Sequence, residues 1–328
     1  MRAYKIYNEQ NAILGRLEEI DEASVGSGDV LIKSHYSSVN YKDALAATGT
    51  GGRVMSRYPL IAGIDVSGVV ISSTDNRFKT GEEVLCTGYG LGVSHDGGFS
   101  SLCRVPGDWL VDLPHGLTLY EAMSLGTAGF TAGLAVELLE LNGMRPDQGP
   151  VLVNGATGGV SSLLINMLGQ LGYIVTALTS KIEQADYLKS LGAADILDRN
   201  TIEYKSRSLE KPLWSAAFDS VGADQLSWLT KTMHTQGLIA SFGNAGGIEL
   251  TTNVLPFILR GIRLIGIDSV NTPMQLRQRI WQRLATDLKP KYLSKIAYPI
   301  EWTELPFHFD RLLHGTSRGR AVLDISGN

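Results

Sequence analysis

Residues 151–161 read VLVNGATGGVS, and the reading of this stretch decides the fold. Val151-Leu152-Val153 has the character of a buried strand, which stops at Gly155; glycines return at Gly158 and Gly159 before a helical pattern begins. The N–H groups that open such a helix have no partners and lie at the positive end of its dipole, so they favour an anion. Glycines allow the pyrophosphate of a dinucleotide to approach the backbone. Gly155, Ala156, Thr157, Gly158, Gly159 and Val160 therefore form a candidate phosphate cradle. A glycine-rich turn is also common as plain structure, so its surroundings must decide.

Those surroundings are periodic. Val160, Leu163, Leu164, Met167, Leu168 and Leu171 recur at spacings of three and four, and Gly172 closes the helix they predict. Strands are expected at 174–178, around Ile196-Leu197, and at 215–218, 238–242 and 263–267, with helices ending at Leu191-Gly192 and spanning 224–234. Six strands joined by crossovers describe a doubly wound parallel sheet, the Rossmann arrangement, over residues 125–268.

Residues 1–124 differ in texture: short alternating segments such as 29–34 (DVLIKS) and 65–70 (DVSGVV), with turn signals every ten residues or so, predict a β-rich domain. Residues 269–328 return to that texture and end in a strand at 320–325. Thr272-Pro273 reads as a helix start, Thr as N-cap and Pro at the first helical position. Leu276, Ile280, Leu284 and Leu288 mark the apolar stripe of that helix, and Arg277, Arg279 and Arg283 read as its solvated surface. The expected architecture is a Rossmann domain of α/β class inserted into a β-rich domain, with the ligand cleft between them.

A net charge of -4 gives no reason to expect nucleic acid as a partner. Two cysteines, Cys86 and Cys103, exclude a disulfide framework and a structural zinc lobe. MRAYKIYNEQ lacks the apolar core of a signal peptide, and no run of about 18 apolar residues predicts a membrane span, so the expected location is cytoplasmic. The loop 48–57 (TGTGGRVMSR) reads either as a solvated loop or, through Arg53 and Arg57, as a phosphate grip for a large substrate.

An NAD-preferring Rossmann site places a carboxylate at the tip of the second strand to accept bonds from the ribose. Here that strand ends Leu178-Thr179-Ser180-Lys181. A hydroxyl and a cation suit a 2′-phosphate, and Arg199 after the third strand is a candidate second cation. Thr179, Ser180, Lys181 and Arg199 therefore predict NADPH as cofactor; the alternative is an ordinary helix cap at Ser180 beside a surface lysine. Because ligands of open sheets sit at the carboxyl ends of strands, Asn244, Ile258, Ser269 and Arg320 are further candidate cofactor contacts.

The chain resembles the medium-chain dehydrogenase/reductases, within them the zinc-free YhdH/YhfP type, quinone-oxidoreductase-like proteins that include acryloyl-CoA reductases. The likeness runs the full length. It rests on Ser38-Val39-Asn40-Tyr41-Lys42-Asp43-Ala44-Leu45, Ala62-Gly63-Ile64-Asp65, Gly107-Asp108-Trp109-Leu110-Val111, Gly126-Thr127-Ala128-Gly129-Phe130-Thr131-Ala132, the Asn154 turn, Tyr187-Leu188-Lys189-Ser190-Leu191-Gly192-Ala193 and Pro256-Phe257-Ile258-Leu259-Arg260. The resemblance implies a GroES-like β-rich domain, a homodimer, and a nicotinamide contact at Thr127. Ser161 stands where the family turn usually has its third glycine, which serves helix-to-strand packing, so a modest adjustment with retained binding is expected.

Zinc-dependent members use a Cys, a His-Glu pair and a further ligand; Tyr41-Lys42-Asp43 and Ile64-Asp65 stand in those regions, so no metal is expected. Reduction of an activated C=C bond or a quinone fits better than alcohol oxidation. Hydride delivery to the β-carbon of an unsaturated thioester leaves an enolate that needs a donor at oxygen and a proton at the α-carbon. Tyr41 and Asn40 are the catalytic candidates, Tyr41 also facing the cofactor, and Lys42, Arg53 and Arg57 are the candidate anchors for CoA phosphates. Three readings follow: an acryloyl-CoA reductase, an NADPH:quinone or enone oxidoreductase, and an NADPH-binding sensor or structural protein without efficient turnover.

Overall fold

Val151–Val153 is buried throughout because it lies inside a sheet covered on both faces, which is why it reads as an unbroken apolar run. The computed structural model describes residues 1–10, 12–50, 54–204 and 207–327. The order across this sheet is Asp195–Asp198, Val175–Thr179, Val151–Val153, Trp214–Asp219, Met233–Ser241 and Arg263–Gly266, every neighbouring pair parallel. Numbered along the chain this is the 3-2-1-4-5-6 order of the Rossmann sheet, and the connections reverse direction beside Val151–Val153. Leu152, Leu178, Ala217, Leu229 and Ile239 fill one core on it.

One boundary departs from expectation. The fifth strand begins at Met233, which pairs with Trp214, and the preceding helix Ala223–Thr232 stops short of His234. Gln236 takes a φ of 62° beside Gly237, so a kink inside the strand looked in the sequence like a break before it.

The second structural unit is built on sheets of mostly antiparallel strands. Ala12–Glu19, Arg2–Glu9 and Leu60–Ile61 make a three-stranded sheet. A seven-stranded sheet runs Ala297–Ile300, Arg320–Asp324, Val30–Ser38, Asp65–Ser73, Glu83–Thr87 and Leu110–Asp112, with Leu102–Val105 also paired to Val30–Ser38. Alternate residues of its strands, such as Val30 and Ile32, turn into a core shared with Val66, Val84 and Leu110. Thr87 lies directly opposite Asp65, so the two residues mark one end of adjacent strands.

Two expectations about the carboxyl-terminal third need correction. Pro273, not Thr272, is the N-cap, and the helix is Met274–Leu284. Arg277 is not on a solvated face but fully buried, alongside Ile280 and Trp281. The sequence pattern alone misplaces it because a helix that is covered on more than one side can bury a cation wherever acceptors meet it.

The polypeptide groups into two compact units: Met1–Ala128 with Ser269–Thr286 and Leu293–Asn328, and Gly129–Asp268 with Asp287–Tyr292. Within the second of these, the Gln170 amide donates to the carbonyls of Asp287 and Lys289 (3.0 Å each), and Tyr292 N donates to Asn166 Oδ1 (3.0 Å). The helix Leu119–Leu141 crosses the seam in sequence and is kinked at Gly126 (φ 51°, ψ −154°). It is long and apolar enough to cross a membrane, contrary to the sequence expectation, but 89% of its apolar window is buried inside the protein, as in a core helix.

Candidate functional site

The glycine turn has the form its sequence predicts. Gly155 has a φ of 55°, and a Cβ there would meet Ser220 Oγ, so only glycine passes. Gly158 caps the helix Gly159–Gln170 in extended conformation, and the first helical bond runs from Ser162 N to Gly158 O at 2.8 Å. The N–H groups of Gly159, Val160 and Ser161 thus have no intrahelical acceptor and are available to an anion. Ala156 N donates to Leu178 O (3.2 Å), tying the turn to the second strand.

Ser161 does more than replace a glycine. Its buried hydroxyl donates to Asn154 O at 2.7 Å, so the helix start is fastened to the end of the strand before it. Beneath lies a polar set the sequence did not single out. Asn154 Nδ2 donates to Asp219 Oδ1 (2.6 Å), Ser220 N donates to Asn154 Oδ1 (2.7 Å), and the Gly222 N–H reaches the Asp219 carboxylate at 3.1 Å. Burial raises the Asp219 carboxyl above its usual range, while these donors pull it back.

At the tip of the second strand, Thr179 is buried and its hydroxyl accepts from Lys181 N (3.0 Å). Ser180 is exposed and Lys181 half-buried. Thr179 pairs with Asp198, so the residues that follow on the two parallel strands, Ser180 and Arg199, leave the sheet side by side. Arg199 is exposed at the start of a single 3-10 turn whose cap, Asp198, accepts from Asn200 N (2.8 Å). A hydroxyl and two cations thus stand at one sheet edge, with the Asp198 carboxylate turned onto its own backbone.

In the other unit the candidate residues converge on Asp65, which is fully buried. Its carboxylate accepts from Ser38 Oγ, from Asn40 Nδ2 (2.8 Å), and from both the N (2.9 Å) and the Oγ1 (2.5 Å) of Thr127. The buried Arg320 guanidinium lies 3.9 Å away and donates to Val39 O (3.1 Å) and Asn40 Oδ1 (3.0 Å). Nε and Nη2 of Arg320 have no hydrogen-bond acceptor among the described residues, and burial lowers the guanidinium pKa. A Cβ at Gly126 would lie 2.5 Å from Asp65 Oδ2 and 2.8 Å from Arg320 Nη2, so the kink of that helix is what admits the cluster. A second buried acid, Asp43, accepts from Asn40 N (2.9 Å) and Ile64 N (3.0 Å). Burial, with Asp65 nearby, pushes it up to about 7.

This geometry redefines two candidates. Both amide protons of Asn40 are committed, to Ser38 O (3.1 Å) and Asp65, so Asn40 orders the cluster and has no proton left for a substrate. Thr127 has likewise given its hydroxyl proton to Asp65, so a ligand could use it only as an acceptor. Tyr41, the first residue of the helix Tyr41–Thr48, is 37% exposed, and Lys42 beside it is half-buried. Arg57 is exposed, but its guanidinium reaches toward Asp96 (3.7 Å) and Ser94 O (3.5 Å); Arg53 lies outside the described residues. Asn244 is exposed in the loop after the fifth strand, and the Ser269 carbonyl accepts from Arg277 Nη2 (3.1 Å). Ile258 is 68% exposed on the helix Leu255–Arg260, between similarly exposed Val254 and Leu259.

Sequence reading missed Asp65, Ser38 and Asp43 as site residues. The available signal was Asp65 itself, the one charged residue in the strand Asp65–Ser73. Among the described residues no group of three His, Cys, Asp or Glu could hold a metal. Asp65, the carboxylate at the centre of the cluster, is saturated by four donors and a guanidinium, a set that repels a dication; the residues present do not fit zinc.

Residues 26–115 match the alcohol dehydrogenase GroES-like domain and residues 159–286 the zinc-binding dehydrogenase family. The chain is 43% identical to the probable acrylyl-CoA reductase AcuI of Escherichia coli, over 99% of this chain and 100% of that one. It is 45% identical to the putative quinone oxidoreductase YhfP of Bacillus subtilis, over 97% of each. The crystal structure of the latter with NAD bound superposes with a TM-score of 0.95 at 44% identity, over 98% of each chain. The yhdH oxidoreductase of Salmonella enterica in complex with NADP superposes with a TM-score of 0.96 at 44% identity, over 99% of each.

Proposed function

The chain belongs to the medium-chain dehydrogenase/reductase family of oxidoreductases, and on that premise we propose that it is an NADPH-dependent reductase of activated C=C bonds, taking acryloyl-CoA to propanoyl-CoA. The observation that carries the reaction class is the saturation of Asp65 by Arg320, Asn40, Ser38 and Thr127: charge is balanced inside the cluster by a side chain, leaving no seat for the Lewis acid that alcohol oxidation needs. The substrate rests on the name of the E. coli relative.

The turn from Gly155 to Val160 would hold the pyrophosphate on the open N–H groups. Ser180, Lys181 and Arg199 would hold the 2′-phosphate. The unsatisfied nitrogens of Arg320 and the acceptor oxygens of Thr127 and Ser269 are polar atoms suited to the cofactor, with Asn244 beyond the fifth strand. The nicotinamide supplies the hydride to the β-carbon. Tyr41, whose phenol is exposed, is the donor to the acceptor's oxygen, since Asn40 has no proton to give. Lys42 remains a candidate cation for a CoA phosphate, whereas Arg57 is drawn to Asp96.

The quinone reading is kept because of that engaged arginine and the name of the B. subtilis relative. Steady-state NADPH oxidation with acryloyl-CoA, crotonyl-CoA and a benzoquinone side by side separates the readings. The highest kcat/KM is expected with acryloyl-CoA; the highest with the quinone moves the assignment to the second, and cofactor binding without turnover moves it to a sensor. The enzyme is proposed to be cytoplasmic and to work without zinc. Two copies are proposed to join through the edge strand Arg263–Gly266, which pairs only with Met233–Ser241 among the described strands, covering Val254, Ile258 and Leu259. A monomeric mass by light scattering would remove that arrangement.

A further inference from the structure

Tyr89 stands in a conformation that L-residues avoid and glycine adopts freely, with φ 53° between Gly88 and Gly90. Such a backbone persists only where its surroundings impose it, and at this residue three sets of contacts do so. Tyr89 N donates to Val270 O (3.2 Å), and Gly88 N donates to Ile64 O (3.2 Å). The Tyr89 ring stacks parallel on Trp109, with centroids 5.4 Å apart and planes within 6°. The Arg277 guanidinium lies over the Tyr89 ring at 4.4 Å.

Arg277 is the buried cation that the helical pattern had placed on the surface. Its Nη1 donates to Thr87 O (2.8 Å) and Thr87 Oγ1 (3.1 Å), and its Nη2 donates to Ser269 O (3.1 Å) and Val270 O (3.0 Å). One guanidinium therefore fixes the strand end before Tyr89, the segment that Tyr89 N bonds, and the ring itself.

The place of the ring matters as much as its clamping. Thr87 pairs with Asp65, so the Gly88-Tyr89 turn leaves the sheet at the end where Asp65 gathers Asn40, and Asn40 precedes Tyr41. The Tyr89 side chain is half-buried, and no described residue accepts from or donates to its phenol oxygen. A strained backbone, a clamped ring and an uncommitted hydroxyl thus coincide in the turn that follows the strand end paired with Asp65.

We infer that Tyr89 is a further residue of the acceptor site, its phenol donating a hydrogen bond to the carbonyl oxygen of the conjugated acceptor, with Arg277 as the positioning residue that holds the ring. The inference rests on the reductase reading above and adds a second phenol beside Tyr41. It makes Tyr89 a determinant of acceptor binding and not of cofactor binding.

Tyr89→Phe in the full-length protein keeps the ring, the stack and the cation contact while removing only the hydroxyl. The expected result is a loss of about tenfold in kcat/KM for the preferred acceptor, carried mainly by KM, as for one lost hydrogen bond to a bound substrate. The NADPH dissociation constant, read by quenching of protein fluorescence, and the Tm stay at the wild-type values. Tyr89→Asn tolerates the same backbone, removes the ring, and is expected to lose more than the Phe variant. A Phe variant within twofold of wild type, or one that loses NADPH affinity in the same proportion, overturns the inference while an active wild type leaves the reductase reading standing. A wild-type protein that turns over no acceptor overturns both.

Discussion

At the Gly155 turn the groups open to a ligand are backbone N–H groups, and the side chains around them, Ser161, Asn154 and Ser220, only brace the backbone from behind. Around Asp65 the order is reversed: apart from the kink at Gly126 the backbone is ordinary strand and helix, and the polar groups are side chains that have already engaged one another. A backbone-built site depends on conformation and tolerates changes in the bracing side chains. A site built from side chains depends on charge balance, and removing one member strands the others without partners.

The sharpest test of that difference is Asp65→Asn. It leaves the Arg320 guanidinium buried without a counter-ion, and a loss of about 3–5 kcal/mol in urea unfolding is expected. Adding Arg320→Met should recover part of it; a single variant as stable as wild type would show that the cluster is not held by charge.

Asp43 probes the same cluster through pH. Its folded pKa, about 7, lies above the value of about 3.9 for an unfolded aspartate, so the native state holds a proton that the unfolded state has released between those values. The stability this acid contributes is present below pH 4, and is lost as pH rises through 7. The difference in unfolding free energy between wild type and Asp43→Asn should fall over that window by on the order of 2–4 kcal/mol, and a flat difference would refute the raised carboxyl.

At the backbone-built site the effects are smaller. Lys181→Ala should weaken NADPH about tenfold and leave NADH unchanged, as for a lost charge-assisted bond to phosphate; an unaltered preference would return Lys181 to the surface. Ser161→Gly should cost about 1 kcal/mol for the lost bond to Asn154 O and shift the NADPH dissociation constant by less than about threefold. A larger shift would mean that the turn, too, is governed by a side chain.

The same contrast explains what could be read in the sequence. The Rossmann half was legible because its determinants are local: apolar runs, helical spacing and glycines within the eleven residues 151–161. The rule for right-handed crossovers restricts six such strands to a few doubly wound orders, of which the chain takes 3-2-1-4-5-6. Asp65 showed in the sequence as a charge heading a strand and as part of a family motif, but not as the centre of a cluster, because its partners lie 25 residues away at Asn40 and 62 at Thr127, while Asn40 meets Arg320 across 280. No local pattern encodes such a meeting. Arg277 was misplaced for a related reason: its acceptors at Thr87 are 190 residues upstream, and nothing in the periodicity of its own helix announces them.

The six residues Asp287–Tyr292 carry a practical consequence for modular exchange between relatives. They lie past the end of the Rossmann segment in sequence, yet they cap its glycine-turn helix through Gln170 and Asn166. A chimera made by transplanting 129–268 alone would bring Gln170 and Asn166 to a foreign hexapeptide. The nucleotide-binding half is a graft with four seams rather than two, and parents should be chosen, or recombination points placed, so that 287–292 travels with it.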